Sequence, residues 1–237
     1  HCHAISSFCE TTITTEDVAI GIRDDLPMEY ATLLGCGIFT GAGSVMNAAD
    51  VEPNTSLVLF GVGGVGLTAV QAAAARSAGD IIAVDIVDEK LEMAADMGAT
   101  HTINSAEEDV VERVEEITDG GADYSFEFVG QPQVVEQLLP VLQPTGEAIL
   151  VGTSPAGVHD IGIDLIDFMT GEKVLKGAFN GSYNLKLAIP DIADMIADGV
   201  FDLDPLITDT RPMSELNEAM EALEDGSQIR QIITPEA

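Results

Sequence analysis

The chain has 237 residues, of which 46% are hydrophobic, so it can bury one substantial core and is not a disordered segment. It carries 9 Lys and Arg against 41 Asp and Glu, which gives a formal net charge of −32. This charge argues against a nucleic-acid or membrane partner. Because the acids recur along the chain and are not confined to a tail, we interpret them as the solvated surface of a halophilic protein, in which high salt screens the repulsion.

The beginning of the chain is atypical. It starts at His1 in mid-pattern, so we expect a fragment or a processed protein. The cluster His1-Cys2-His3 is not expected to be a metal site, because adjacent side chains rarely converge on one tetrahedral ion. Three cysteines do not make a disulfide framework. No stretch has the pattern of a signal peptide or a membrane span, which predicts a cytoplasmic location.

The first third of the chain leads into an apolar strand. Residues 7–19 alternate and are rich in threonine, which predicts an extended segment. A short helix is predicted over residues 28–34 and a second one from the Gly-Cys-Gly of residues 35–37 to residue 49. The run LVLF at residues 57–60 is too short for a helix and is bounded by glycine, so it predicts a buried strand.

A G-x-G-x-x-G motif follows this strand at residues 61–66, before an alanine-rich helix predicted over residues 67–77. The motif predicts that Gly61 makes the tight turn, that Gly63 lets the backbone approach a pyrophosphate, and that Gly66 lets the helix pack on the strand. A second apolar strand is predicted over residues 81–85. It ends in Asp85, 24 residues after Gly61, where a carboxylate can accept from the adenosine ribose hydroxyls. Together these features predict a dinucleotide site.

Two other interpretations of the glycine motif are less favoured. An S-adenosylmethionine site tends to have an acid just before the glycines, where this chain has Phe60. A glycine-rich membrane helix is not favoured, because the charged residues Arg76 and Asp80 end the apolar segment. Asp85 would repel a 2′-phosphate and the next three residues offer no cation, so NAD is favoured over NADP. Lys90 could reach a ribose hydroxyl.

Strands and helices continue to alternate after Asp85. Strands are predicted over residues 101–103, 124–128, 148–151 and 174–178, and helices over residues 89–97, 105–117 (with Ser105 and Glu108 as a capping box) and 132–142. This alternation predicts an α/β fold with a doubly wound parallel Rossmann sheet. The tail, with helices over residues 185–198 and 214–224 and extended segments over residues 206–208 and 228–233, is not expected to extend that sheet.

Four stretches carry a resemblance to a known family. They are GCGIFTGAG at residues 35–43, FGVGGVGL at 60–67, DLDPLIT at 202–208 and GSQIRQII at 226–233. In their order and composition they resemble the zinc-type medium-chain alcohol dehydrogenases, nearest the aryl- or benzyl-alcohol branch. The match covers the last two-thirds or so of a family member.

The resemblance implies a role for several residues. Cys36 matches a protein ligand of the catalytic zinc, and Thr40 matches a catalytic residue that lines the nicotinamide pocket. The implied cofactor-binding set is Gly61, Gly63, Gly64, Val65, Gly66, Asp85, Lys90, Val151, Gly152, Thr153 and Arg230, the last of these on the pyrophosphate. The implied domains are the end of a chaperonin-10-like catalytic domain at residues 1–37, an NAD-binding domain at 38–179 and a return to the catalytic domain at 180–237.

The function predicted from this resemblance is hydride transfer between a small alcohol or aldehyde and NAD, with zinc as a second cofactor whose other ligands lie outside this chain. The chain alone is expected to be inactive. A homo-oligomer, dimeric or tetrameric, is expected by analogy, with residues 161–169 at the sheet edge. Two alternatives stay open: a zinc-free reductase of the same superfamily, and a noncatalytic dinucleotide-binding module.

Overall fold

The computed structural model describes residues 8–158, 160–224 and 228–235, so the cluster His1-Cys2-His3 lies outside the described residues. The chain divides into two compact units. The sheet unit comprises residues 35–188, and the terminal unit comprises residues 1–34 together with residues 189–237. These bounds differ by a few residues from the predicted domains, and the catalytic role expected for the outer segments stays a prediction.

The described residues form strands and helices in alternation. The strands are β1 (Leu57–Phe60), β2 (Ile81–Asp85), β3 (His101–Asn104), β4 (Ala122–Glu127), β5 (Leu142–Leu150), β6 (Val174–Gly177), β7 (Ile207–Pro212) and β8 (Arg230–Thr234). The helices are α1 (Met28–Leu34), α2 (Gly37–Gly43), α3 (Gly64–Ala75), α4 (Asp88–Asp96), α5 (Val110–Thr118), α6 (Pro132–Val135), α7 (Leu165–Thr170), α8 (Leu185–Ala197) and α9 (Leu216–Glu224).

The sheet unit is built on six strands in the order β3-β2-β1-β4-β5-β6, and every neighbouring pair is parallel. The predicted doubly wound α/β sheet is therefore confirmed. The chain order reverses between β1 and β4, which makes their carboxyl ends the topological switch point where such sheets bind ligands.

Buried side chains hold the sheet and its helices together. Phe60, Ile82, Phe126 and Ile149 lie on four different strands, and each is at most 2% exposed. Burying one such side chain contributes about 1.5–3 kcal/mol. Helix α3 is buried along most of its length, and Gly66 allows its first turn to lie against the end of β1, because a Cβ there would collide with the carbonyl oxygen of Gly61.

Three predicted helices differ in their bounds. Helix α3 begins at Gly64, inside the glycine motif, and not at residue 67. The predicted Ser105–Glu108 capping box is wrong, because the side chain of Asp109 caps α5 by accepting from the N–H of Glu112. The helix predicted over residues 132–142 is only one turn long.

The early end of α6 has a visible cause. The N–H groups of Gln137 and Leu138 bond three residues back, in tight turns, and Pro140 has no N–H to continue a helix. Polar side chains replace the missing helical donors: Ser125 donates to the carbonyl of Leu138, and Lys173 Nζ donates to the carbonyl of Leu139 at 2.8 Å.

The terminal unit has its own small sheet, in which β7 and β8 pair in parallel. As expected, the tail does not extend the six-stranded sheet. The extended segment predicted over residues 7–19 forms no strand among its described residues, which contain one turn of 3-10 helix at Glu16–Val18.

Helix α2 continues as a short π-helix at Ser44–Ala48. Within the described residues, no single helix is long and apolar enough to cross a membrane, although the bent pair of α1 and this extended α2 passes a test of length and composition.

Candidate functional site

The glycines of the 61–66 loop differ in what the fold requires of them. Gly61 has φ +85°, and a Cβ there would collide with the side chain of Val129. A Cβ on Gly66 would collide with the carbonyl oxygen of Gly61. Gly63 has an ordinary φ of −74°, and an added Cβ would meet no described heavy atom within 4 Å. Open space therefore lies in front of Gly63, although the loop around it is closely packed.

Gly63 is also the N-cap of α3, and Gly64 and Val65 form the first turn of that helix. No side chain in the described part of the chain caps α3, and no acidic residue lies in its first turn. The main-chain N–H groups at a helix start have no partner within the helix and carry a partial positive charge. The open space at Gly63 is thus faced by groups that favour an anion such as a phosphate.

Asp85, at the end of β2, is held against the glycine loop. Its Oδ2 accepts from the N–H of Val62 at 3.0 Å, and its Oδ1 accepts from Ile86 at 2.8 Å and from Val87 at 3.2 Å. A carboxylate has about four acceptor positions. With three of them used to orient the group, the half-buried Asp85 keeps capacity for a hydroxyl donor.

Lys90 lies in the first turn of α4, directly after β2. Its main-chain N–H bonds to the carbonyl of Val87 at 3.1 Å, and its side chain is half-buried. Among the described residues its ammonium group forms no ion pair. A cation therefore stands on the chain segment that follows Asp85.

Cys36 and Thr40 lie at the start of α2, with Sγ and Oγ1 4.0 Å apart. Cys36 is an exposed free thiol that precedes α2 as its N-cap. The helix is packed tightly on α3, because a Cβ on Gly41 would collide with the carbonyl of Val65 and the hydroxyl of Thr68. Gly41 thus allows the segment with Cys36 and Thr40 to approach the helix of the glycine loop.

The strand end at residues 151–153 contacts the turn that follows β4. The N–H groups of Val151 and Gly152 donate to the main-chain oxygen of Glu127 at 3.1 and 2.9 Å. Gly130, in the turn after β4, has φ +82°, and a Cβ on it would collide with the carbonyl oxygen of Thr153. The two turns therefore meet through main-chain atoms.

A buried carboxylate lies beneath these turns. Glu127 has no exposed surface, and its Oε1 accepts from the N–H groups of Val129 and Gly130. Burial raises the pKa of Glu127 above its ordinary value, while the N–H groups of Gly130, Val129 and Gly152 act in the opposite direction. Glu127 is not among the site residues predicted from the sequence. The available signal is an acid between Phe126 and Phe128, at the end of a strand.

Most of the predicted site residues lie in the sheet unit, at the carboxyl ends of β1, β2 and β5 or on the adjacent starts of α2, α3 and α4. They are Cys36, Thr40, Gly61, Gly63, Gly64, Val65, Gly66, Asp85, Lys90, Val151, Gly152 and Thr153. Arg230 begins β8 in the terminal unit, so its role on a pyrophosphate stays a prediction.

The residues present fit one of the two expected cofactors. The open space at Gly63, the uncapped start of α3 and the oriented carboxylate of Asp85 fit a dinucleotide. A zinc ion needs at least three protein ligands, and no group of three His, Cys, Asp or Glu side chains suited to a metal occurs in the described part of the chain. Cys36 alone does not make a zinc site.

Comparisons with known proteins agree with this geometry. A family model described as zinc-binding dehydrogenase matches residues 64–198. The S-(hydroxymethyl)glutathione dehydrogenase of Paracoccus denitrificans is 34% identical over 241 residues, which is 98% of this chain and 64% of that protein.

Two solved structures are similar over almost the whole chain. Benzyl alcohol dehydrogenase from Acinetobacter calcoaceticus has 36% identity and a TM-score of 0.91, over 95% of this chain and 62% of that one. An alcohol dehydrogenase zinc-binding domain protein from Burkholderia ambifaria has 35% identity and a TM-score of 0.91, over 95% of this chain and 60% of that one.

The chain thus spans less than two thirds of the length of these relatives, as the predicted match to the last two-thirds of a family member implies. The family model covers more than half of the chain, and the structural match extends over both units. The chain belongs to the zinc-type medium-chain alcohol dehydrogenases, the family of zinc-binding dehydrogenases.

Proposed function

We propose that this chain is the NAD-binding part of a zinc-dependent alcohol dehydrogenase. When bound, NAD supplies the acceptor for a hydride that leaves an alcohol. In this proposal the start of α3 binds the pyrophosphate, and Asp85 accepts from the adenosine ribose hydroxyls with Lys90 beside it. Thr40, Val65 and the strand end at residues 151–153 then line the nicotinamide half.

The observation that carries the proposal is the open space at Gly63. Gly61 and Gly66 are required by the packing of the loop itself, because a Cβ on either would collide with neighbouring atoms. The fold makes no such demand at Gly63, where the backbone conformation suits any residue. A glycine at this position serves a ligand that approaches the backbone closely, as a pyrophosphate does.

The preference for NAD over NADP follows from charge. Asp85 is oriented by three main-chain N–H groups, so it cannot turn away from a ligand without losing them. A 2′-phosphate at the adenosine ribose would meet this carboxylate, whereas a ribose hydroxyl would donate to it. A zinc-free reductase that prefers NADPH is the less favoured alternative for this reason.

The zinc of the proposed enzyme is assigned to Cys36 and to ligands outside the described residues. A thiolate is a common zinc ligand, and Cys36 is exposed beside Thr40 at the start of α2. Since the described residues do not complete a metal site, we derive no chemical step through zinc. Arg230 is proposed as a pyrophosphate ligand because a guanidinium fork suits phosphate oxygens.

The substrate class we propose is a small alcohol, with an aryl or benzyl alcohol favoured by the similarity to benzyl alcohol dehydrogenase at 36% identity. A second copy of this chain is the proposed partner. Strand β6 is at the edge of the six-stranded sheet, and three exposed apolar side chains lie on α7 just before it. They are Leu165, Ile166 and Met169, each 68% or more exposed.

The experiment is a titration of the 237-residue chain with NADH and with NADPH at high salt, followed by nicotinamide fluorescence. The test variant is Gly63→Ala, and Gly21→Ala is the matched control because a Cβ there also meets open space. Both variants should keep the free energy of unfolding within about 1 kcal/mol of the parent. We expect Gly63→Ala to weaken NADH binding at least about tenfold, because a methyl group displaces the pyrophosphate.

Equal NADH affinity in the two variants would contradict the proposed pyrophosphate position. Tighter binding of NADPH than of NADH would favour the zinc-free reductases.

A further inference from the structure

Glu127 is a charged group that the proposed function does not use. It ends β4, is fully buried, and makes no ion pair with any described Lys, Arg or His. Its Oε2 is buried and accepts no hydrogen bond within the described structure. Burying such a group is costly, so a carboxyl at this position needs a compensating role.

This carboxyl group joins two turns. Its Oε1 holds the turn after β4 through the N–H groups of Val129 and Gly130. Its Oε2 faces the turn after β5, since a Cβ on Gly152 would lie only 2.6 Å away. Val129 in turn packs against Gly61, so the glycine loop rests on the turn that Glu127 holds.

The position of Glu127 in the sheet indicates which part of a ligand these turns face. Strands β1 and β4 are neighbours at the switch point, with β2 and Asp85 on one side and β5 on the other. A dinucleotide that places its adenosine ribose at Asp85 and its pyrophosphate at α3 crosses the switch point toward β4 and β5. Its nicotinamide half then lies over the turns that follow these two strands.

We propose that Glu127 is a positioning residue for the nicotinamide half of the bound dinucleotide, acting through the turns after β4 and β5, and that its buried charge favours the oxidised, cationic ring over the reduced, neutral one. This inference rests on the proposed function, because it takes the dinucleotide site as given.

Burial raises the pKa of the Glu127 carboxyl group, whereas its hydrogen bonds favour the charged form. A proton on Oε2 would be a buried donor, and no acceptor contacts that atom within the described structure. A carboxylate instead accepts from two main-chain N–H groups with its other oxygen. A negative charge in a poorly solvated site attracts a cation more strongly than it would in water. The nicotinamide ring of NAD⁺ is a cation, and that of NADH is not.

The test compares two variants that separate shape from charge. Glu127→Gln keeps the length of the side chain and one acceptor oxygen but removes the charge. Glu127→Asp keeps the charge but is one methylene shorter, so it cannot reach both N–H groups of the turn after β4. Glu147→Gln, on the neighbouring strand β5, is the matched control for loss of one negative charge. Each protein is titrated with NAD⁺, NADH and ADP-ribose, and its thermal unfolding is recorded without ligand.

We expect Glu127→Gln to weaken the binding of NAD⁺ about tenfold and that of NADH about threefold or less. Its affinity for ADP-ribose should stay within about twofold of the parent's. Glu127→Asp should weaken the binding of NAD⁺ and of NADH by the same factor and leave the affinity for ADP-ribose unchanged. Glu147→Gln should change none of the three.

If Glu127→Gln and Glu127→Asp each lost the same factor of affinity for all three ligands, the inference would be overturned and Glu127 would have a general structural role. An unchanged ratio of NAD⁺ to NADH affinity in Glu127→Gln would overturn the charge effect. If Glu127→Gln does not fold, Glu127→Asp still tests the positioning role. The test is then whether this variant loses affinity for NADH but keeps its affinity for ADP-ribose. Failure of the parent chain to bind ADP-ribose or NADH would instead contradict the proposed function.

Discussion

Replacing Asp85 by alanine tests the cofactor preference most directly. The carboxylate has two functions in the structure, because it accepts from the N–H of the buried Val62 and is available to a ligand at the end of β2. Removing it leaves the Val62 N–H without its acceptor, which costs about 1–3 kcal/mol when no water replaces it. Ile86 loses its acceptor too, but this residue is 68% exposed and can bond to water.

The effect on binding is larger for one cofactor than for the other. Hydrogen bonds to a charged group contribute about 1.5–3 kcal/mol, so Asp85→Ala should weaken NADH binding about 10- to 150-fold. A phosphate next to the carboxylate is repelled by about 1–4 kcal/mol at a separation of about 4 Å, depending on the local dielectric. NADPH should therefore bind the variant at least as tightly as the parent.

The assay is paired fluorescence titration with NADH and NADPH, with unfolding in urea measured on the same samples. Glu92→Ala is the control, because Glu92 is an exposed acid on α4 that does not contact the glycine loop. It should alter neither affinity by more than about twofold. Equal NADH affinity in Asp85→Ala and Glu92→Ala, or the same loss of affinity for both cofactors in Asp85→Ala, would refute the proposed role of Asp85.

Three further predictions follow from the packing and charge of the chain. Gly66→Ala should lower the free energy of unfolding in urea by about 1–3 kcal/mol, since its methyl group collides with the carbonyl of Gly61; stability equal to the parent would refute this. A hydrogen bond to Asp204 raises the pKa of Tyr30 to about 12, so its stabilisation should be complete below pH ~10 and lost as the pH rises through about 12. An absorbance titration should show that the phenol of Tyr30 titrates at a lower pH in Asp204→Asn than in the parent. With a net charge of −32, the melting temperature should rise between 0.1 and 2 M KCl, roughly the range over which screening shortens to a few ångströms, and a flat profile would contradict the halophilic hypothesis.

The sequence predicts the parallel sheet because its central strands β1 and β2 are short apolar runs bounded by glycine or a turn. Strand β5 is less predictable, since it begins at Leu142 and not at residue 148 and its first half is polar. The strand at residues 57–60 and the strand ending in Asp85 have the same bounds in the structure as in the prediction. The helices are less predictable, since their ends depend on contacts distant in sequence. Helix α6 ends early, and Ser125 and Lys173 donate to the carbonyl groups of Leu138 and Leu139 that follow it. Neither donor is near those carbonyl groups in sequence.

The residues of the candidate site also differ in how well the sequence predicts them. Asp85 and the glycines of the 61–66 loop stand out in the sequence because a strand, a turn and a helix surround them in a fixed order. Glu127 does not, because its role depends on two turns that meet only in the folded sheet. Its signal, an acid at the end of a strand, is equally typical of a residue that faces water.

The main chain, more than the side chains, forms the surface that would meet a dinucleotide. The start of α3 presents N–H groups, and the turns after β4 and β5 contact each other through carbonyl and amide atoms at Gly130, Gly152 and Thr153. The backbone of such a surface must be held in place by the residues packed beneath it, because side chains cannot correct its position. Asp85 and Glu127 supply that support, each by accepting from the main-chain N–H groups of a turn. Two acids that orient amides explain how a chain with only 9 Lys and Arg residues can still present a surface for an anionic ligand.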